Sequence, residues 1–239
     1  MTISLKTSPP LIVAHQELLA PFLGRIQRKE SSLLLVLGDS NSDNTIFTRG
    51  GKQWSELLHT ELKNNYQTQS LLLVNSALSG NTVLDYLDRF DTDVAAFRPT
   101  LTLFNMGSND TRLTEEVFEK GMRDCLDRLE AIGSTVLVFT PAPIMELKPE
   151  PAHIWRQDTD RARRVEIIRK VVASRNNVAF IDLYEKIRGM EDAGELEIQP
   201  LMADQVHLNA LGHQLVARIF APVFGLPPTF HWERESAQI

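Results

Sequence analysis

The stretch Leu33-Leu34-Leu35-Val36-Leu37-Gly38-Asp39-Ser40 decides the fold. Five apolar residues run without alternation and end at a glycine. A strand with one wet face would alternate apolar and polar residues. An unbroken apolar run of this length fits a strand buried on both faces, as in a parallel sheet covered by helices. The same pattern recurs at Leu71-Leu72-Leu73-Val74, Leu101-Thr102-Leu103-Phe104, Val136-Leu137-Val138-Phe139 and Val178-Ala179-Phe180-Ile181. Between these runs apolar residues fall at helical spacing: Trp54, Leu57, Leu58 and Leu62; Val83, Leu84 and Leu87, a short helix; Phe118, Met122, Cys125, Leu126 and Leu129; Val165, Ile168 and Val172; and Leu211, Leu215, Val216 and Ile219. Strand and helix signals that alternate predict an α/β fold, doubly wound around a five-stranded parallel sheet. The stretch Leu11 to Ile26 reads as an amphipathic helix ahead of the sheet, packed on the outside of the domain. Residues 1–30 are then a helical extension and residues 226–239 a tail, around one domain that takes up all of residues 1–239.

The whole-chain arithmetic is consistent with that. At 239 residues, 43% hydrophobic and 23% charged, the chain has an ordinary globular composition. This excludes a disordered chain, a coiled coil and a collagen-like repeat. The net charge of −6 excludes the basic footprint that binding to a phosphate backbone needs, so no nucleic-acid partner is expected. One cysteine allows neither an internal disulfide nor a cysteine-based zinc site. No run approaches 18 apolar residues, and Pro9, Pro10, His15 and Glu17 break up the N-terminal stretch, so neither a membrane span nor a secretory signal is read. A cytoplasmic location is the expectation. Self-association is left open.

Ligands of open parallel sheets bind outside the carboxyl ends of the strands. The segments there are polar and contain glycines: Gly38-Asp39-Ser40-Asn41-Ser42, Asn75-Ser76-Ala77-Leu78-Ser79-Gly80-Asn81, Asn105-Met106-Gly107-Ser108-Asn109-Asp110 and, after the last strand, Asp204-Gln205-Val206-His207-Leu208-Asn209. A serine hydroxyl becomes a nucleophile when a base takes its proton, and histidine suits that task near neutral pH. Asp204 and His207 are three residues apart, which on one helical turn places both side chains on one face. The carboxylate would then orient the imidazole toward Ser40. The N–H groups of Ser40 and Gly80 and the Asn109 amide can supply donors for a developing oxyanion.

In this order, Gly38-Asp39-Ser40, the Gly80 block, Gly107-Ser108-Asn109-Asp110 and Asp204-Gln205-Val206-His207-Leu208-Asn209 resemble the SGNH hydrolases, also called the GDSL esterase/lipase family, over about Leu33 to Phe220. The resemblance implies a flavodoxin-like three-layer α/β/α sandwich. It also implies hydrolysis of a carboxylic ester without metal or cofactor, with Ser40 as nucleophile, His207 as base and Asp204 as acid. Ser40, Gly80 and Asn109 would form the oxyanion hole. The residues after Ser40, Asn41-Ser42-Asp43-Asn44, are more polar than the usual family continuation, and no long apolar lid follows. A short-chain or acetyl ester of a carbohydrate-like small molecule is therefore the expected substrate. The alternatives are lysophospholipase or thioesterase activity, or a non-hydrolytic ligand-binding protein on the same fold.

Other residues have plainer readings. Asp182 closes the last strand and is read as structural rather than as the triad acid, and Asp39 and Asp110 as residues that hold loops. Cys125 is on an apolar stripe and is read as core. Arg161, Arg163, Arg164, Arg169 and Lys170, with Arg156, are interleaved with acids and read as a solvated face. Asp91-Thr92-Asp93 and Asp158-Thr159-Asp160 have no supporting histidines, and no metal site is assigned. The proline-rich insert from Pro141 to Asp158, carrying His153, Trp155 and Arg156, follows the fourth strand and is expected to wall the substrate pocket.

Overall fold

The computed structural model describes residues 13–43, 46–145 and 158–227. Along the chain it places β1 (Val13–Ala14), α1 (Ala20–Gln27), β2 (Ser32–Leu37), α2 (Trp54–Asn65), β3 (Leu71–Asn75), α3 (Val83–Asp93), β4 (Leu101–Phe104), α4 (Glu115–Ala131), β5 (Thr135–Phe139), α5 (Asp158–Ala173), β6 (Ala179–Ile181), α6 (Leu183–Asp192) and α7 (Ala210–Phe220). The sheet runs β1-β6-β5-β4-β2-β3. Five strands are parallel, as the apolar runs predict. The period of two then sorts the side chains of β2. Leu34 and Val36 face the layer of α1, α2, α6 and α7, while Leu35 and Leu37 face α3, α4 and α5. The result is a three-layer α/β/α sandwich.

The sheet has six strands, not five. Val13 and Ala14 pair antiparallel with Ile181 and Phe180 of β6 and cover that edge. The expected helix from Leu11 is thus replaced by this strand, a 3-10 turn over Gln16–Leu19 and the shorter α1, which begins near Pro21. Leu19, Phe22 and Ile26 are fully buried in the core, so the described part of this extension is a component of one helical layer rather than an outer addition. At the other edge, β3 was expected to be buried on both faces. It is instead the last strand, and Leu72 is 57% exposed. An apolar run does not reveal whether a strand has a neighbour on each side. The tail also starts later than expected, because Leu226 is buried. Residues 228–239 lie outside the described residues.

Helix α3 starts at a capping box of Thr82 and Asp85 and is longer than its apolar spacing suggested, since buried Tyr86 and Phe90 continue its inner face past Leu87. The basic stretch of α5 is a solvated face only in part: Arg163 and Lys170 are exposed, but two of its arginines are not. Arg161 and Arg164 are buried and donate to carbonyls at the strand ends, Arg161 to Ala142 (2.5 Å) and Arg164 to Asp110 (3.1 Å) and Leu113 (2.6 Å). Arg156 lies outside the described residues. Among the described residues no helix is long and apolar enough to cross a membrane.

Gly212 sets the seat of α7. A Cβ there would stand 2.5 Å from the Leu201 carbonyl oxygen and 2.7 Å from Leu208 Cδ2. Gly212→Ala is expected to cost about 1–3 kcal/mol through overpacking, despite alanine's better helix propensity. Denaturant unfolding measures this, and an unchanged midpoint would refute it.

Candidate active site

Flavodoxin-like sheets reverse their strand order between the first strand and its far neighbour, and this opens a crevice at the carboxyl ends. Here the reversal falls between β2 and β4, because the chain moves from β2 out to β3 and then back across to β4. Ser40 follows β2 and Asn109 follows β4, so both are delivered to that crevice.

After Leu37 the backbone turns tightly: the N–H groups of Ser42 and Asp43 both donate to the Asp39 carbonyl. Ser40 is nearly buried at this turn, and its Oγ is 3.0 Å from His207 Nε2. His207 Nδ1 is 2.7 Å from Asp204 Oδ2. The three side chains form one continuous relay, although Ser40 and His207 are 167 positions apart. The local geometry around Asp204 is not the helical turn expected from the spacing. Residues 203–206 form bends, closed by a bridge between Met202 and Leu208. Asp204 Oδ1 accepts the N–H groups of Val206 and His207, both at 2.8 Å, so one carboxylate shapes its own loop and holds the imidazole. Burial pushes the Asp204 carboxyl up, but the bonds from the His207 ring and from these two N–H groups outweigh it and hold the group below the usual carboxylate range.

Side chains that the sequence reading passed over complete this frame. Asn41 ties the two loops together: its Nδ2 donates to the Val206 carbonyl (3.1 Å) and its Oδ1 accepts the Leu208 N–H (3.0 Å), one bond on each side of His207. Phe47 lies flat on the His207 ring, with centroids 3.7 Å apart and planes 7° apart. An imidazolium formed here would rest on the negative face of that ring. Trp54 Nε1 donates to the Asn41 carbonyl (3.2 Å), and its backbone N–H reaches His213 Nδ1 (3.4 Å). Burial lowers the His213 pKa to about 4, so His213 is a neutral acceptor. A cavity of about 330 Å³, lined by Phe47, Arg49, Met202, Ala203 and Leu211 among others, borders the loop that carries Asp204 and His207.

The loops that carry Gly80 and Asn109 are joined to each other. Gly80 has φ +82° in a turn closed by the Asn81 N–H on the Leu78 carbonyl (3.2 Å). The Asn109 side chain is buried and donates to the Asn81 carbonyl at 3.1 Å, which joins the two loops. Asp110 joins them again, accepting the N–H groups of Val83 (2.7 Å) and Gly107 (2.8 Å). Asp39 likewise holds its own loop, through the Asn41 N–H (2.9 Å). Burial, opposed by the two N–H bonds and reinforced by nearby Asp39, raises the Asp110 pKa to about 6. A carboxyl raised in this way adds stability that is fully present below its ordinary pKa of 3.8 and is lost as pH rises through about 6. At about 1.4 kcal/mol per pH unit of displacement, the loss is on the order of 3 kcal/mol. Urea unfolding of wild type against Asp110→Asn should show the stability difference changing between about pH 4 and 6. A flat difference across that window would overturn the assignment.

The structural reading of Asp182 and the core reading of Cys125 hold. Asp182 caps α6 and pairs with Arg169 (2.6 Å), away from His207's Nδ1. Cys125 is buried and its thiol is pushed up to about 12 by that burial. Asp91, Asp93 and Asp158 are bound to Arg128, Arg89 and Arg188. Among the described residues no cluster of three or more His, Cys, Asp or Glu side chains could hold a metal ion. The insert's two ends meet beside the site, with the Met145 N–H on the Gln205 carbonyl (2.9 Å) and the Ile144 N–H on Asp158 Oδ1 (3.0 Å). His153, Trp155 and Arg156 lie outside the described residues, and so does the expected pocket wall.

Residues 36–215 match the model of the GDSL-like lipase/acylhydrolase family. The chain belongs to that family. It is accordingly a carboxylic ester hydrolase of the SGNH (GDSL) type. Over 175 residues it is 30% identical to an acetylxylan esterase from Geobacillus stearothermophilus, covering 71% of this chain and 77% of that protein. A crystal structure of an acetylxylan esterase from the same organism superposes with a TM-score of 0.66 at 22% identity, over 84% of this chain and 97% of that one. An alpha/beta hydrolase from the metagenome of Lake Arreo, Spain, gives 0.66 at 24% identity, over 81% and 95%. At these identities the structural likenesses speak for the fold of this GDSL-family member.

Proposed function

We propose that the protein hydrolyses short-chain esters, acetyl groups on a carbohydrate above all, through an acyl-serine intermediate. The observation that carries this reading is the unbroken chain from Asp204 through His207 to Ser40 at the crevice between β2 and β4. His207 takes the Ser40 proton as Oγ forms a bond to the ester carbonyl carbon. The negative charge that develops on the carbonyl oxygen is met by the N–H groups of Ser40 and Gly80 and by the Asn109 amide. Collapse breaks the bond to the leaving alcohol, which receives the proton from His207. Water then adds to the acyl-serine by the same route, returning Ser40 and releasing the acid. Asp204 holds the imidazole in the required tautomer and balances its charge.

The acetyl-carbohydrate part of the reading draws on two further supports. The loop after Ser40 is polar, and the 30%-identical relative is an acetylxylan esterase. Structures of such an esterase are described as catalytic mutants at a serine, an aspartate and a histidine. A series of p-nitrophenyl esters of rising acyl length tests it, alongside acetate release from acetylated xylo-oligosaccharides. Activity should peak at acetyl and fall with length. A peak at long acyl chains would overturn the substrate class, and inertness toward every ester and thioester would overturn the enzyme reading.

A further inference from the structure

Gly80 presents a problem that its residue type does not solve. If its N–H is an oxyanion donor, the peptide between Ser79 and Gly80 must keep one orientation. A turn whose third residue has φ near +80° points that peptide one way; the same turn with negative φ there points it the opposite way. Glycine permits both about equally. Nothing stands within 4 Å of where a Gly80 Cβ would be, so packing does not choose between them either. The orientation must be held through the flanking backbone.

Two charged side chains do this from opposite sides. Asp43 Oδ2 accepts both the N–H (2.9 Å) and the Oγ–H (2.7 Å) of Ser79. Arg112 Nη2 donates to the Gly80 carbonyl at 2.5 Å, and its Nε donates to the Asn109 carbonyl at 3.1 Å. The peptide groups on either side of the 79–80 unit are therefore both pinned. Asp43 ties the turn to the Ser40 loop, and Arg112 ties it to the Asn109 loop. Arg112 is surface-exposed and Asp43 half-buried, and bonds of exposed charged groups contribute little to global stability.

We propose that Asp43 and Arg112 are positioning residues that hold the Gly80 N–H on the oxyanion side of the crevice. The proposal rests on the acyl-transfer reading above. It predicts a loss confined to the transition state, where the donor acts.

The test uses the full-length protein with p-nitrophenyl acetate as substrate. Asp43→Ala and Arg112→Ala should each lower kcat roughly ten- to hundredfold, short of the full loss of a donor. KM and melting temperature should stay near wild type. Asp43→Asn keeps an acceptor for Ser79 and Arg112→Lys keeps one donor for Gly80, so both should recover most of kcat. The inhibition constant of phenylboronic acid, whose adduct on a serine is tetrahedral, should rise by the same factor as kcat falls. Unchanged kcat in both alanine variants would overturn the proposal, as would losses that follow melting temperature without rescue by Asn or Lys. Ser40→Ala measured alongside separates the two levels. An inactive Ser40→Ala beside full-rate Asp43 and Arg112 variants sinks the brace alone, while an active Ser40→Ala sinks the reading beneath it.

Discussion

Ser40→Ala should abolish turnover, with kcat on p-nitrophenyl acetate falling on the order of a million-fold. The size follows from how the relay works. His207 Nε2, 3.0 Å from Ser40 Oγ, opens the proposed mechanism by taking the proton of that hydroxyl. Without the hydroxyl no acyl-enzyme forms. What remains is the oxyanion hole acting on water, worth about a thousand- to ten-thousandfold over the uncatalysed reaction. The substitution removes one nearly buried oxygen from a turn whose backbone bonds are independent of it, since Ser42 and Asp43 donate to the Asp39 carbonyl. The fold should persist, and melting temperature checks that. Burst kinetics on wild type, read as p-nitrophenol release ahead of steady state, should vanish in the variant. Retention of more than about a hundredth of kcat would show that another group is the nucleophile.

What could be read from residues alone was the part governed by periodicity and by order along the chain. Apolar runs marked the five parallel strands, and in the four away from the β3 edge the reason is burial on both faces, which leaves little room for polar positions. The polar glycine-bearing segments after the strands marked the crevice because strand ends in such sheets converge there. What escaped was set by pairing across long separations. Val13 and Ala14 carry no strand period of their own; they are strand because β6 offers them an edge. Leu72 reads like Leu34, yet one lies at the sheet margin and the other at its centre. Arg161 and Arg164 look like surface cations in a mixed-charge helix. They are buried because strand-end carbonyls need donors there.

The site divides in the same manner. Residues that would do the chemistry sit in short motifs with their own signature. Those that hold them in place do not. Asn41 and Asp43 stood within the polar run after Ser40, but their partners, Val206, Leu208 and Ser79, lie 36 or more positions away. Phe47 gave no signal, since a lone aromatic in a loop has no period to betray its stacking on His207. Arg112 follows Asn109 by three residues, and that proximity to a donor loop was the one available hint.

Asp204→Asn is the sharper probe of the same relay, because it changes almost no atoms. In wild type, Oδ1 accepts the N–H groups of Val206 and His207, and Oδ2 faces His207 Nδ1 at 2.7 Å. Asparagine can keep its oxygen on the two N–H groups, which preserves the bend. Its NH2 then faces Nδ1, donor against donor. The imidazole resolves the conflict by moving its proton to Nε2, where it points at Ser40 and cannot accept. The wrong tautomer should cost about ten-thousandfold in kcat, with KM and melting temperature little changed. Asp182→Asn is the contrasting substitution. It weakens the buried pair with Arg169 and should lower stability while leaving kcat near wild type, because Asp182 bonds Thr140 and Arg169 rather than the imidazole. If Asp204→Asn lost less than about tenfold while Asp182→Asn lost thousands, the acid of the relay would have been assigned to the wrong carboxylate.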